Sequence, residues 1–191
     1  MAVGNVMNFR EALEAEHSKA QTLRLTTYIG SSCHRFGKLL KIVAGDDRML
    51  SQRGAWVISH CAEAHPEVVQ PFVGELLKNL QRSNLHDAVK RNTMKAIAEL
   101  EVPDELAGLA ADLAFRYLNS PDEAVAVKVY SMAVIENLCR REPVLAGEFR
   151  MVIEQQWPHE KRKAFRSRAR HVLAALDKME AVGGEIGTVG A

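Results

Sequence analysis

The chain has 191 residues, 47% hydrophobic and 26% charged, with 25 Lys and Arg against 24 Asp and Glu for a formal charge of +1. This is the makeup of a soluble folded chain able to bury a core, and it excludes a global electrostatic pull toward nucleic acid or membrane, so any basic patch must be local. Cys33, Cys61 and Cys139 are widely spaced, form no CxxC or zinc-ribbon pattern, and fit a reducing, cytoplasmic setting.

In chain order, the opening MAVGNVMNFREALEAEH lacks a basic segment followed by an apolar one, so no export signal is expected. No apolar run approaches the roughly 20 residues that span a bilayer. Apolar residues recur at helical spacing almost throughout, and alternating strand patterns are missing. The pattern predicts helices over 8–17 and 18–29, an N-terminal capping pair within 1–30, then 32–44, 47–64, 66–82, 86–101, 103–119, 121–141, 142–156 and 159–181. Pro66, Pro103 and Pro143 stand where a first helical turn tolerates a missing N–H, and Ser120 before Pro121 offers an N-cap. The ending from Val182, VGGEIGTVGA, has too little apolar bulk to fold alone and is expected to be a flexible tail, 182–191.

An internal period organises these helices. QRGAWVISHCA from Gln52, KRNTMKAIAEL from Lys90, KVYSMAVIENL from Lys128 and RSRARHVLAAL from Arg166 begin 38 residues apart. Positions four, seven, eight and eleven of each copy form an i, i+3, i+4, i+7 stripe: Ala55, Ile58, Ser59 and Ala62 in the first, Ala169, Val172, Leu173 and Leu176 in the last. The preceding helices keep the same step, with Leu39, Leu77, Phe115 and Ile153 in register. One helix pair cannot bury both its faces. Stacking about four to five pairs into a right-handed α-α superhelix is the physical solution, so one all-α repeat domain over 1–181 is expected, with the 38-residue repeats from about 30.

DAVKRNTMKAIAEL (Asp87 to Leu100) and EAVAVKVYSMAVIENL (Glu123 to Leu138) resemble the second helix of HEAT repeats. RGAWVISHCAEAHPE followed by HDAVKRN is similar to small bacterial proteins of the HEAT-like, armadillo-type superhelix class. The resemblance implies that the second helices line a concave groove, on scaffolds that host many unrelated partners. Arg53, Trp56, His60, Arg91, Lys95 and Glu136 would then line it, cationic in its first half, and hold an acidic or extended peptide; the plainer reading is solvated helix surface.

The first positions, Gln52, Lys90, Lys128 and Arg166, form a near-constant cationic column that turn acids such as Asp87, Asp122 and Glu160 could pair with between copies. The densest charge is HEKRKAFRSRARH, where Lys161, Arg162, Lys163, Arg166, Arg168 and Arg170 form a basic C-terminal patch. It reads either as a contact for phosphate backbone or an acidic partner, or as the polar side of an amphipathic helix.

Cys61 and His65, one helical step apart with His60 beside them, supply too few convergent ligands for zinc, so no metal or other cofactor is expected. No orienting group or oxyanion hole accompanies Cys61, so no catalytic residue and no small-molecule substrate is assigned. Trp56 with Arg53, Arg91 and Lys95 partly resembles the basic, aromatic groove of HEAT-like alkylpurine DNA glycosylases, but no groove-facing Asp stands beside Trp56 in this register. The residues thus point to a non-enzymatic scaffold for a macromolecular partner, a protein first and nucleic acid as the alternative, with no membrane role.

Overall fold

A computed structural model describes residues 7–186. Residues 1–6 of the expected capping segment and 187–191 of the expected tail lie outside the described residues. Among the described residues all regular structure is helical. The chain divides into two compact units, residues 1–103 and 104–191, within the stretch expected as one domain.

The first unit contains α1 (Phe9–Ala15), α2 (Lys19–Ile29), α3 (Cys33–Val43), α4 (Arg48–Ala64), α5 (Pro66–Val69), α6 (Val73–Leu80) and α7 (Asp87–Ala98). Short polar residues set most of these starts. Side chains of Asn8, Ser18, Ser32, Asp47 and His86 each accept a backbone N–H from the first turn of the helix that follows, which satisfies donors that would otherwise be orphaned. Gly30 closes α2 at φ 49°, a left-handed conformation that costs glycine little.

The continuous helix expected over 66–82 is broken. Pro71 has no N–H to donate and crowds the preceding turn, and Gln70–Phe72 forms one 3-10 turn between α5 and α6. α4 is the hub of the unit, packed against α2, α3 and α7. Gly54 permits the approach of α3: a Cβ there would lie 2.6 Å from Val43 Cγ2 and 3.4 Å from Leu39 Cδ1.

The second unit contains α8 (Asp104–Asn119), α9 (Val125–Cys139), α10 (Leu145–Gln156) and α11 (Lys163–Ile186), with α9 packed against the other three. Three starts fall later than expected. Ser120 does not cap α9: the helix begins at Val125, and the Glu123 carboxylate accepts the Ala124 N–H at 3.1 Å. α10 begins two residues after Pro143, and α11 begins beyond a turn in which Glu160 accepts the Arg162 N–H at 2.9 Å. At its other end, α11 runs on to Ile186, into the segment expected as a tail.

The 38-residue stripe is the packing face. Ala55, Ile58, Ser59 and Ala62, with their counterparts from Thr93, Ser131 and Ala169 onward, are buried, apart from a half-buried Leu173. Leu39, Leu77, Phe115 and Ile153 are buried beside them. Truncating a fully buried Leu or Ile of this set to Ala costs about 2–5 kcal/mol, which makes the stripe the main source of stability.

Polar ties reinforce the stacking within each unit, and they are made to backbone. Arg82 donates to the Ala44 carbonyl, 38 residues earlier, at 2.6 Å and pairs with Asp46 at 2.9 Å. Gln156 donates to the Leu118 carbonyl, again 38 residues earlier, at 2.9 Å. Each closes the C-terminal end of the matching helix in the preceding copy, where carbonyls lack intrahelical partners. The expected column is less uniform: Lys90 pairs with Asp87 of its own copy at 3.2 Å, and Arg166 donates to the Glu160 carbonyl at 2.8 Å.

Candidate partner-binding surface

The side of α4 and α7 left by the packing stripe carries five of the six expected groove residues. Arg53 is not free for a ligand: its guanidinium donates to the Leu13 carbonyl at 2.6 Å and the Glu14 carbonyl at 3.1 Å, closing the end of α1. Val57, one turn on, is buried because α2 packs against this side of α4. Trp56 and His60 remain half-buried. The indole meets the His17 ring edge-on at 5.4 Å and the His60 ring at 5.8 Å. His60 Nδ1 lies 3.0 Å from the Trp56 carbonyl, a hydrogen bond when Nδ1 carries the proton, which turns Nε2 away from the backbone.

On α7, Arg91 is exposed and makes no ion pair or hydrogen bond among the described residues. Lys95 reaches across to α4 and pairs with Glu63 at 2.5 Å. The cationic half expected here is therefore partly neutralised, and Arg91 is its open charge. Trp56 and Arg91 stand on packed neighbouring helices, α4 and α7, Arg91 at the position equivalent to Arg53, one turn from Trp56.

Glu136, the sixth expected groove residue, is 3% exposed. Its carboxylate accepts from Arg168 at 2.7 Å and Arg140 at 3.4 Å, with His171 Nε2 at 4.0 Å. The reason is local: Arg168 on α11 stands where Gly54, Asn92 and Tyr130 stand in other copies, and it delivers a cation to α9.

The basic C-terminal patch is dispersed in the same way. Arg162 is held by both oxygens of Glu160, with Nε at 2.8 Å. Arg166 caps the turn and lies 5.1 Å over the Trp157 ring, Arg168 is spent on Glu136, and Arg170 Nε donates to the Arg166 carbonyl at 3.3 Å. Lys161 and Lys163 are exposed, with no ion pair among the described residues.

The Cys and His side chains of α4 diverge. Cys61 is buried and Thr26 lies within hydrogen-bonding reach; burial pushes its thiol up to about 12, so it stays protonated near neutrality and is a poor nucleophile or ligand. His60 turns to the Trp56 carbonyl, and His65 lies 3.8 Å from Glu67. Burial, with the Glu136 charge adding to it, raises Cys139 to about 11. Among the described residues no group of three or more His, Cys, Asp and Glu could hold a metal ion.

Helix pairs in a 38-residue register, tied through backbone carbonyls within each unit, define an α-helical repeat protein. The family model of the HEAT repeat domain matches residues 9–176, and the chain belongs to that family, whose fold is the α-α solenoid. HEAT repeats generally serve as protein-interaction scaffolds and are generally non-enzymatic. No curated protein and no solved structure matches the chain. Among the described residues no helix is long and apolar enough to cross a membrane.

Proposed function

We propose that the chain is a non-enzymatic, cytoplasmic binding module whose α4–α7 face takes a protein partner. The observation that carries this reading is the half-buried Trp56, framed by His17 and His60, with the exposed, unpaired Arg91 on the helix packed against its own. A Trp held at low entropic cost and an open guanidinium on the neighbouring helix are residue types that dominate binding energy at protein interfaces. An acidic or carbonyl-rich segment suits it, since Arg91 supplies donors and the indole an apolar platform. Two buried free thiols, Cys61 and Cys139, are in keeping with a reducing compartment.

The nucleic-acid alternative draws less support. Phosphate binding needs a run of uncommitted cations, and Arg53, Arg162, Arg166, Arg168 and Arg170 are each bonded within the chain. Affinity capture from native extract tests the choice. We expect a discrete protein, insensitive to nuclease, that is lost with the Trp56→Ala/Arg91→Glu double variant. The same proteins on wild type and variant, or recovery abolished by nuclease, would overturn the proposal.

A further inference from the structure

We propose that the second unit carries a separate binding cavity for a small phosphorylated molecule, with the phosphate held by Lys128 and Lys161, the two cations of its wall that no carboxylate takes. The cavity, of about 810 Å³, opens on the edge where the helices of this unit turn, between the end of α8, the first turn of α9 and the segment joining α10 to α11. No residue of α4 or α7 lines it, and it does not depend on a protein partner for the α4–α7 face.

The lining sets the charge of the occupant. Lys128, Lys161 and Arg162 face Glu160 alone among ionised groups of the wall, with His159, Gln155, Gln156 and Asn119 around them. Glu160 is already satisfied: both its oxygens and the backbone N–H of Arg162 are engaged in one local cluster. Two cationic charges are thus in excess, which matches a phosphate dianion better than a single carboxylate.

Lys128 is the decisive group. It is 4% exposed, yet it lines the cavity. Gln156 takes one of its three N–H donors, at 3.1 Å, and is itself fixed by the Leu118 carbonyl at 2.9 Å. The ammonium is therefore aimed by a second residue and has donors left over. A buried cation without a matching anion is costly. Burial, then the nearby Arg162, lowers the Lys128 pKa, with Glu160 and Glu123 opposing in part. A bound phosphate would relieve that cost. The volume exceeds what a bare phosphate fills and falls in the range of small-molecule sites, which leaves room for an organic body.

The test is an NMR titration of the full chain at constant ionic strength with inorganic phosphate, with ribose 5-phosphate and with acetate. We expect saturable shifts confined to residues around 119–128 and 155–162, ribose 5-phosphate binding more tightly than phosphate, and acetate producing none. Lys161→Ala, a change of an exposed side chain, should weaken phosphate binding about threefold to tenfold, and Lys128→Met should abolish it with helicity retained. Absence of saturation, acetate matching phosphate, or titrations unchanged in both variants would overturn the inference. Saturation by inorganic phosphate with no gain from ribose 5-phosphate would reduce the site to a free-ion site and contradict the organic occupant.

Discussion

Arg168 Nη2 lies 2.7 Å from Glu136 Oε2, joining α11 to α9 through a carboxylate that is 3% exposed. Both residues read as surface groups from position alone, Glu136 as groove lining and Arg168 as part of a basic patch. Together they form a charge pair that the last two second helices of the repeat close over. The burial of Glu136 under a half-buried Arg168 moves them from recognition to architecture.

Removing one partner should therefore be far worse than removing both. Arg168→Ala leaves the Glu136 carboxylate with only Arg140 and His171 nearby, and should destabilise by about 3 kcal/mol in urea unfolding. The double change Glu136→Leu/Arg168→Leu should recover most of that loss, because apolar packing replaces a desolvated pair. Equal losses in the single and double variants would show that packing, not charge, holds this site.

The thiols should separate cleanly. Cys33 is exposed, while Cys61 and Cys139 are buried with thiols raised to about 12 and about 11. In native buffer at neutral pH a disulfide reagent should titrate a single thiol rapidly, and the other two only with denaturant. Fast reaction of Cys61 would contradict the packing of α4.

Glu160 gives a pH signature. Hydrogen bonds from Arg162 lower its carboxyl from 4.5 to about 2, partly offset by burial. A depressed carboxyl stabilises above its unfolded value and loses that contribution as pH falls through the folded one. Thermal melts should show wild type more stable than Glu160→Gln above about pH 4.5, with the gap closing as pH falls toward 2.

Gly54 sets the distance between α3 and α4. A Cβ would press on the Val43 methyl at 2.6 Å, and Gly54→Val should cost about 1–3 kcal/mol or more in urea unfolding. Gly108, with no atom within 4 Å of a Cβ, is the matched control. Gly108→Ala should be neutral or stabilising, since it also removes a helix-interior glycine.

The repeat was legible because burial imposes periodicity: Leu39, Leu77, Phe115 and Ile153 occupy equivalent buried positions, and equivalent positions attract equivalent residues. Helix starts were less legible. A proline or serine marks where a helix can begin, but Ser120 gave way to a turn ending at Ala124. Pro71 was a readable break inside an otherwise helical pattern, and its missing donor explains the 3-10 turn. The polar ties were hidden for a different reason. Arg82, Gln156 and Arg53 act on backbone carbonyls, which every residue carries, so no partner residue type betrays them. The same blindness made Arg53 look like a ligand contact and left Lys128, with its aligning Gln156, as one more member of a cationic column.

On the proposed function, the α4–α7 face meets a protein. Photo-crosslinking in native extract tests it most directly, with the photoreactive residue placed at Arg91 and, as a control, at Met151, which is 62% exposed on α10. We expect one discrete protein adduct from position 91, unaffected by nuclease and lost when Trp56→Ala is added, with none from position 151. Adducts from position 151 alone, or adducts at 91 that nuclease removes, would contradict it.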